Sequence, residues 1–492
     1  MSKINQYINK NYKKVIGWGT SAYYKNNASK LNVNLDYLID SNENKYGTYI
    51  DGKIINKPET LTNENSEDTL IIIFSSFYNE ICEEILKYGD FDSISGNGFL
   101  ELGHSLGINS RKIFNEYEEN NQIILTISRN NYYLNTNGLS KFMIEQNKIL
   151  QEAKCVTLHI YWRKYNVKDY KGIYITIVRD GKEIGFLNVS NFLKNLKKVD
   201  GIIIHSLANL NLNTLDIILD EIGSSVPISY YLHDFSCICS NIKLMYNDDY
   251  FCNGYSNNWN LCSTCKSNES KKKIFAYHQE LFDKKNIQLI APSESTKEII
   301  LQSFNIKDCK IKVVPHQKFT VTKDKKSFVG SKIKIAYVGY KAKHKGWDIF
   351  KELVTDFKGQ YEFYCFGFSD DIITNVTYVD VSFIDDGEVA MTKKLKENNI
   401  DVAFLWSLVP ETYSYTYYES SAAGLYILTN RLSGNIYNQV LINNNGTVLH
   451  NYEELYNLLK DENQLRNCIN TNEIVFNGLI KNNKGMSQIW EL

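Results

Sequence analysis

Three times along the chain, short unbroken runs of β-branched and aromatic residues alternate with longer stretches in which apolar positions recur every three or four residues. Runs such as "DTLIIIF", "GIIIHSL" and "KIKIAYVGY" lack the in-out alternation of a half-exposed strand, so they predict strands buried on both faces. Parallel sheets covered by helices have such strands, and the predicted class is α/β. The first series, "KKVIGWG", "LDYLID", "DTLIIIF" and the helical "FYNEICEEILKYG", predicts a small Rossmann-like domain over residues 1–118. A second series, from "QIILTISRNN" through "CVTLHI", "GIIIHSL", "ISYYLHDF", "IQLIAPS" and "KIKVVPH", predicts a domain over 119–328. The charged stretch "KFTVTKDKKSFVGSK" separates it from a third, over 329–492, that ends in a C-terminal helix.

Length agrees with this count, since 492 residues exceed one ordinary core. Lys plus Arg number 55 and Asp plus Glu 56, a net charge of −1 that gives no electrostatic case for nucleic acid. The start "MSKINQYINKNYKK" has no apolar signal core, and no apolar run nears the ~20 residues of a membrane helix, so a cytoplasmic protein is expected.

Chemistry concentrates in the third series. In "VGYKAKHKGWDIF" a strand gives way to a helix, so Gly339 permits close backbone approach, while Lys345 sits where helix amides and dipole favour an anion. Lys345 is the candidate diphosphate ligand, with a solvated basic loop as the competing reading. Further on, "DVAFLW" predicts a strand and "YSYTYYESSAAGLY" a helix, placing Glu411 in the connecting loop and Glu419 about two turns into the helix. A carboxylate accepts with both oxygens, so Glu419 suits the two hydroxyls of a ribose and Glu411 a sugar, with Thr412, Tyr413 and Ser414 as nearby donors. The plain alternative makes Glu411 a complement to the helix dipole and Glu419 a surface residue; the small residues "SSAAG" after Glu419 favour tight packing instead.

With these residues in place, "PETYSYTYYESSAAGLYILT" resembles the E-x7-E motif of the retaining GT-B glycosyltransferases of family four, and "VGYKAKHKGW" their diphosphate-binding loop. "LHDF" and "NTNGLSKFMIEQ" resemble segments of the same family's acceptor half, so the likeness spans about residues 121–492. It implies two tandem Rossmann-like domains in GT-B arrangement, plus the small N-terminal one. It implies a nucleoside-diphosphate sugar as donor, retention of configuration, and a glycan, lipid-linked or protein acceptor in bacterial polysaccharide or glycoconjugate synthesis. Such acceptors are compatible with peripheral contact with a membrane. By the same resemblance Glu411 contacts the transferred sugar, Glu419 the ribose, Lys345 the diphosphate, His233 the donor sugar or reacting centre, and Gly138 lets its loop approach the phosphates. The family commonly has Arg directly after the strand glycine, where this chain has Tyr340; Lys341 and Lys343 are the nearest cations. A catalytically silent sugar-binding partner subunit is the alternative that this departure raises.

Two features lie outside that motif set. Cys239, Cys252, Cys262 and Cys265 follow His233 in a 237–265 insertion and end in C-x2-C, a set able to wrap a structural zinc, with reduced thiols or disulfides as the competing readings. At the N-terminus, "VIGWGTSA" supplies Gly17, Gly19 and Ala22 in a G-x-G-x-x-A pattern, with Asp40 about 20 residues on. At ~100 residues this unit lacks the second half of a dinucleotide site, so a structural or mononucleotide role is preferred to NAD.

Overall fold

The computed structural model describes the chain except residues 1–2, 21, 76–77, 107, 109–121, 135–136, 197, 255–258, 285, 324–329, 368–371, 384 and 483–492. The boundary expected near residue 119 falls outside the described residues. The chain forms two compact units, one of Met1–Asn120, Leu158–Lys198 and Leu210–Glu221, the other of Asn121–Thr157, Val199–Asn209 and Ile222–Leu492.

In the first unit, Lys14–Trp18 is flanked in parallel by Tyr37–Ile39 and Thr69–Ile73, and Asp92–Ser95 extends the sheet beyond Thr69–Ile73. Ile16, Leu38, Ile71 and Ile72 have no solvent exposure, as unbroken apolar runs require. Gly19, at φ +102°, passes so close to the Phe74 carbonyl that a Cβ would lie 2.7 Å from it. From Leu158 on, the same unit holds an antiparallel meander, whose first strand contains the "CVTLHI" expected in the second domain and whose other two strands the sequence reading does not predict. The strand Cys155–Val167 pairs with Tyr170–Arg179, which pairs with Lys182–Asn188. Its second turn is Asp180-Gly181, both at positive φ, the Asp-Gly signature of a tight hairpin. Mixed lysines and tyrosines along these strands hid that signal.

The second unit carries two parallel sheets. One has the order Ile311–Val313, Ile287–Ala291, Ile228–Tyr231, Gly201–Ile204, Gln122–Ile127. The other is six-stranded, in the order Val376–Val379, Glu362–Phe366, Lys334–Val338, Val402–Phe404, Tyr426–Asn430, Gly446–Leu449. In the second, chain order reverses between Lys334–Val338 and Val402–Phe404, which opens a crevice at their carboxyl ends. The C-terminal helices Tyr452–Lys460 and Glu462–Asn470 are followed by the strand Ile474–Asn482, which pairs antiparallel with Gln317–Lys323 in the stretch read as a charged separator. Phe476, 2 % exposed and stacked on Phe319, anchors that return. No helix among the described residues is long and apolar enough to cross a membrane.

Candidate functional site

The loops leaving those two strands carry the residues singled out by sequence. After Val338 the chain turns at Gly339 (φ +114°), makes a short 3-10 turn over Lys343–Lys345, and passes Gly346 (φ +79°) into the helix Trp347–Phe357. A Cβ on Gly346 would lie 2.4 Å from the Trp406 carbonyl oxygen, so both conformation and space demand glycine. Gly346→Ala is therefore expected to cost about 2 kcal/mol or more and to displace the turn bearing Lys345. A thermal midpoint equal to that of the unsubstituted protein contradicts this.

Lys345 Nζ lies 2.6 Å from Glu411 Oε1, and Ser407 Oγ donates to the same oxygen at 2.9 Å. Burial pushes the Glu411 carboxyl up, but the Lys345 charge and the Lys345 and Ser407 hydrogen bonds outweigh it and hold the group below its ordinary range. Glu411 is thus an ionised carboxylate paired with an ammonium at the strand-order reversal. The Lys345 turn is fixed from behind, where the His344 carbonyl accepts from Leu408 N at 2.8 Å.

One residue further on, Thr412 joins the two sheets. Its hydroxyl donates to the His233 carbonyl at 2.8 Å, and its own carbonyl accepts from Ser293 Oγ at 2.7 Å and Thr296 Oγ1 at 3.2 Å. Tyr413, 3 % exposed, accepts at its hydroxyl from Gln317 N. His233 Nε2 lies 3.1 Å from His205 Nδ1, and the ring packs against Phe142, Tyr231 and His316. Burial lowers the His233 pKa to about 3, so the ring is neutral and hydrogen-bonds rather than carrying charge. His316 is 5 % exposed, and neither ring nitrogen has a hydrogen-bond partner among the described residues.

Glu419 lies in the helix Tyr415–Ala422, and its Oε1 is 2.8 Å from Lys141 Nζ, in a pair whose side chains are 11 % and 9 % exposed. Lys141 belongs to the helix Gly138–Glu152, and its ammonium also sits 4.8 Å from the centre of the Tyr415 ring. Gly138 opens that helix against the same ring, where a Cβ would lie 3.2 Å from Tyr415 Cδ2. His233, Thr412, Glu411 and Lys345 thus form one contact chain, and Gly138, Tyr415, Lys141 and Glu419 another. Gly339 flanks the second helix, since a Cβ there would lie 3.2 Å from Thr416 Cγ2. Lys141 escaped the sequence reading because its partner lies 278 residues away, and Ser407, four residues before Glu411 in the same loop, was missed although its partner is local.

The described residues give the zinc expectation no support. Cys239, Cys252, Cys262 and Cys265 do line one small cavity, but together with Lys271. All four are free thiols, and the described residues hold no group of three or more His, Cys, Asp or Glu arranged to bind a metal ion. Lys271, 3 % exposed, reaches in and places its ammonium 3.0 Å from Cys262 Sγ and 2.7 Å from the Gly254 carbonyl. The cation among these sulfurs is a lysine, and its charge opposes entry of a second.

In the N-terminal unit the Asp40 carboxylate is engaged locally. It accepts from Thr20 N at 3.1 Å, Thr20 Oγ1, Asn42 N at 3.0 Å and Lys45 Nζ at 2.9 Å.

Comparison with known proteins places this chain as follows. A family model described as C2185-like, N-terminal, matches residues 11–94. No curated protein matches. Among solved structures the chain is similar to sucrose-phosphate synthase from Thermosynechococcus elongatus, with 12 % identity, a TM-score of 0.47, and coverage of 75 % of this chain and 94 % of that one. It is similar to HepE of Anabaena in complex with UDP-glucose, with 13 % identity, a TM-score of 0.42, and coverage of 71 % and 93 %. It is also similar to a glycosyltransferase from Rickettsia africae, with 14 % identity, a TM-score of 0.41, and coverage of 75 % and 97 %.

Proposed function

We propose that this protein transfers a glycosyl unit from a nucleoside-diphosphate sugar to a glycan, lipid-linked or protein acceptor, with retention of configuration, in bacterial polysaccharide or glycoconjugate synthesis. The observation that carries the reading is the Lys345–Glu411 pair at the strand-order reversal of the six-stranded sheet, joined through Thr412 to His233 of the five-stranded one. Breaking a glycosidic bond to a diphosphate leaves positive charge on the sugar carbon and negative charge on the leaving group. An ionised carboxylate and an ammonium 2.6 Å apart complement that separation from a fixed position. Lys345, with three donor hydrogens, keeps Glu411 and meets a phosphate oxygen at once. The helix Trp347–Phe357 adds its N-terminal dipole on the same side. Glu419 takes the ribose hydroxyls with its second oxygen, its first being held by Lys141. Neutral His233 borders the sugar as a hydrogen-bonding group.

A second reading, a sugar-binding subunit without turnover, is favoured by the buried Lys141–Glu419 pair, which engages the ribose carboxylate before any ligand arrives. Turnover separates the two readings.

The test is thermal stabilisation by a panel of nucleoside diphosphates. A ligand at 100 times its Kd adds ~2.7 kcal/mol to the native state. One nucleoside diphosphate is expected to raise the melting point, and Glu419→Ala to erase that rise. Stabilisation by NAD alone would move the ligand to the N-terminal unit and end this assignment.

A further inference from the structure

The cysteine-rich insertion touches the donor loop. From its hairpin of Met245–Tyr246 and Tyr250–Phe251, Asp249 forms an ion pair with Lys343, two residues before Lys345. The segment leading into this hairpin is held by hydrogen bonds. Asn241 accepts from Lys243 N at 3.2 Å and donates to the Met245 carbonyl at 3.1 Å and to Asp248 at 2.8 Å. Leu244, 1 % exposed, accepts from Cys252 N at 2.9 Å. That bond ties the segment to the cysteine cavity closed by Lys271. Between Asn241 and Leu244 stands Lys243, with its side chain exposed.

The cations that sequence offered in place of the arginine replaced by Tyr340 are otherwise engaged. Tyr340 is 74 % exposed, Lys341 lies over the Trp347 and Tyr378 rings at 4.8 and 4.3 Å, and Lys343 is held by Asp249. Resting on the donor-site reading above, we infer that Lys243, delivered by the cysteine-rich insertion, is the second phosphate-binding cation of the site and acts beside Lys345 on the donor diphosphate.

The charges around it are consistent with this role. Lys243 is lowered by partial desolvation, raised by Asp248, lowered by Lys345 and raised by Glu411; His344, lowered to about 4 mainly by burial, feels Lys243, Lys345 and Glu411 as well. Asp248 is itself paired with Lys266. Glu411 is paired with Lys345, and Lys243 adds a second positive charge felt at the same neutral histidine, a surplus that suits a diphosphate.

The experiment is calorimetric titration of the full chain with UDP, ADP and GDP and the matching nucleosides, for the unsubstituted protein and Lys243→Ala, Lys243→Arg, Lys266→Ala and Lys345→Ala. Lys243→Ala is expected to weaken the diphosphate about 10-fold with nucleoside affinity unchanged, Lys243→Arg to restore most of it, and Lys266→Ala to leave it intact. Lys243→Ala binding like the unsubstituted protein while Lys345→Ala is weakened overturns the inference and spares the donor site. Equal losses from Lys266→Ala and Lys243→Ala reduce the effect to bulk charge and overturn it too. Binding of none of the three diphosphates by the unsubstituted protein overturns both this inference and the reading beneath it.

Discussion

Lys345→Ala is expected to lower the turnover of a nucleoside-diphosphate sugar by about 10²–10³-fold while weakening donor binding by less than 10-fold. The asymmetry follows from when the charge appears. On the proposed reading the bond between the sugar carbon and the diphosphate breaks beside Lys345, and the negative charge that develops on the leaving oxygen makes the ammonium gain most in the transition state. The substitution also leaves Glu411, with a side chain 13 % exposed, without its paired cation and with the Ser407 hydroxyl as hydrogen-bond donor. Its carboxyl pKa should then rise, because the largest effect opposing burial has gone. Single-turnover kinetics with a saturating donor separate the chemical step from binding. An unchanged rate would remove Lys345 from the reaction, and an equal loss in rate and affinity would make it a plain binding residue. Glu411→Gln, which keeps the shape and loses the charge, is expected to do at least as much damage to turnover.

Acidification is expected to unfold the second unit well above the pH at which its carboxylates protonate. Four of its histidines are held neutral by burial: His233 is lowered to about 3, His278 and His344 to about 4, and His316 well below the ordinary 6.5. A depressed pKa means that the unfolded chain binds a proton which the folded one refuses. Their contribution is therefore fully present above pH 6.5 and is lost as pH falls toward the folded values. Each of His233, His278 and His344 costs ~1.4 kcal/mol per pH unit in that window, so these three cost roughly 8 kcal/mol between pH 6.5 and 4.5, comparable to a whole domain's stability, and His316 adds in the same direction. Glu411, whose pKa is also depressed, adds its loss below its ordinary 4.5. Denaturant midpoints measured from pH 7.5 to 5.0 check this, together with proton uptake on unfolding, expected to exceed two near pH 5. A midpoint that stays flat down to pH 5 would contradict neutral burial of these rings.

What sequence by itself determined was the local grammar. Unbroken β-branched runs exclude a sheet with one wet face, which made the parallel strands legible, and a glycine and lysine between a strand and a helix marked the turn that holds Lys345. Glu411 and Glu419 were legible because a loop and a helix at fixed spacing follow from the chain alone. Tertiary structure decided what those groups meet. The partner of Glu419 is Lys141, the tie from Thr412 runs to His233, and Asp249 of the insertion's hairpin pairs with Lys343. The cysteine window shows the difference most directly. Spacing showed four sulfurs near one another along the chain, but the cation between them is Lys271, from the helix Asn268–Asp283, and only packing could bring it there. Local propensity is written in neighbouring residues, whereas pairing across hundreds of positions is fixed by burial of the whole chain, where a charge removed from water takes whichever partner the fold places within reach.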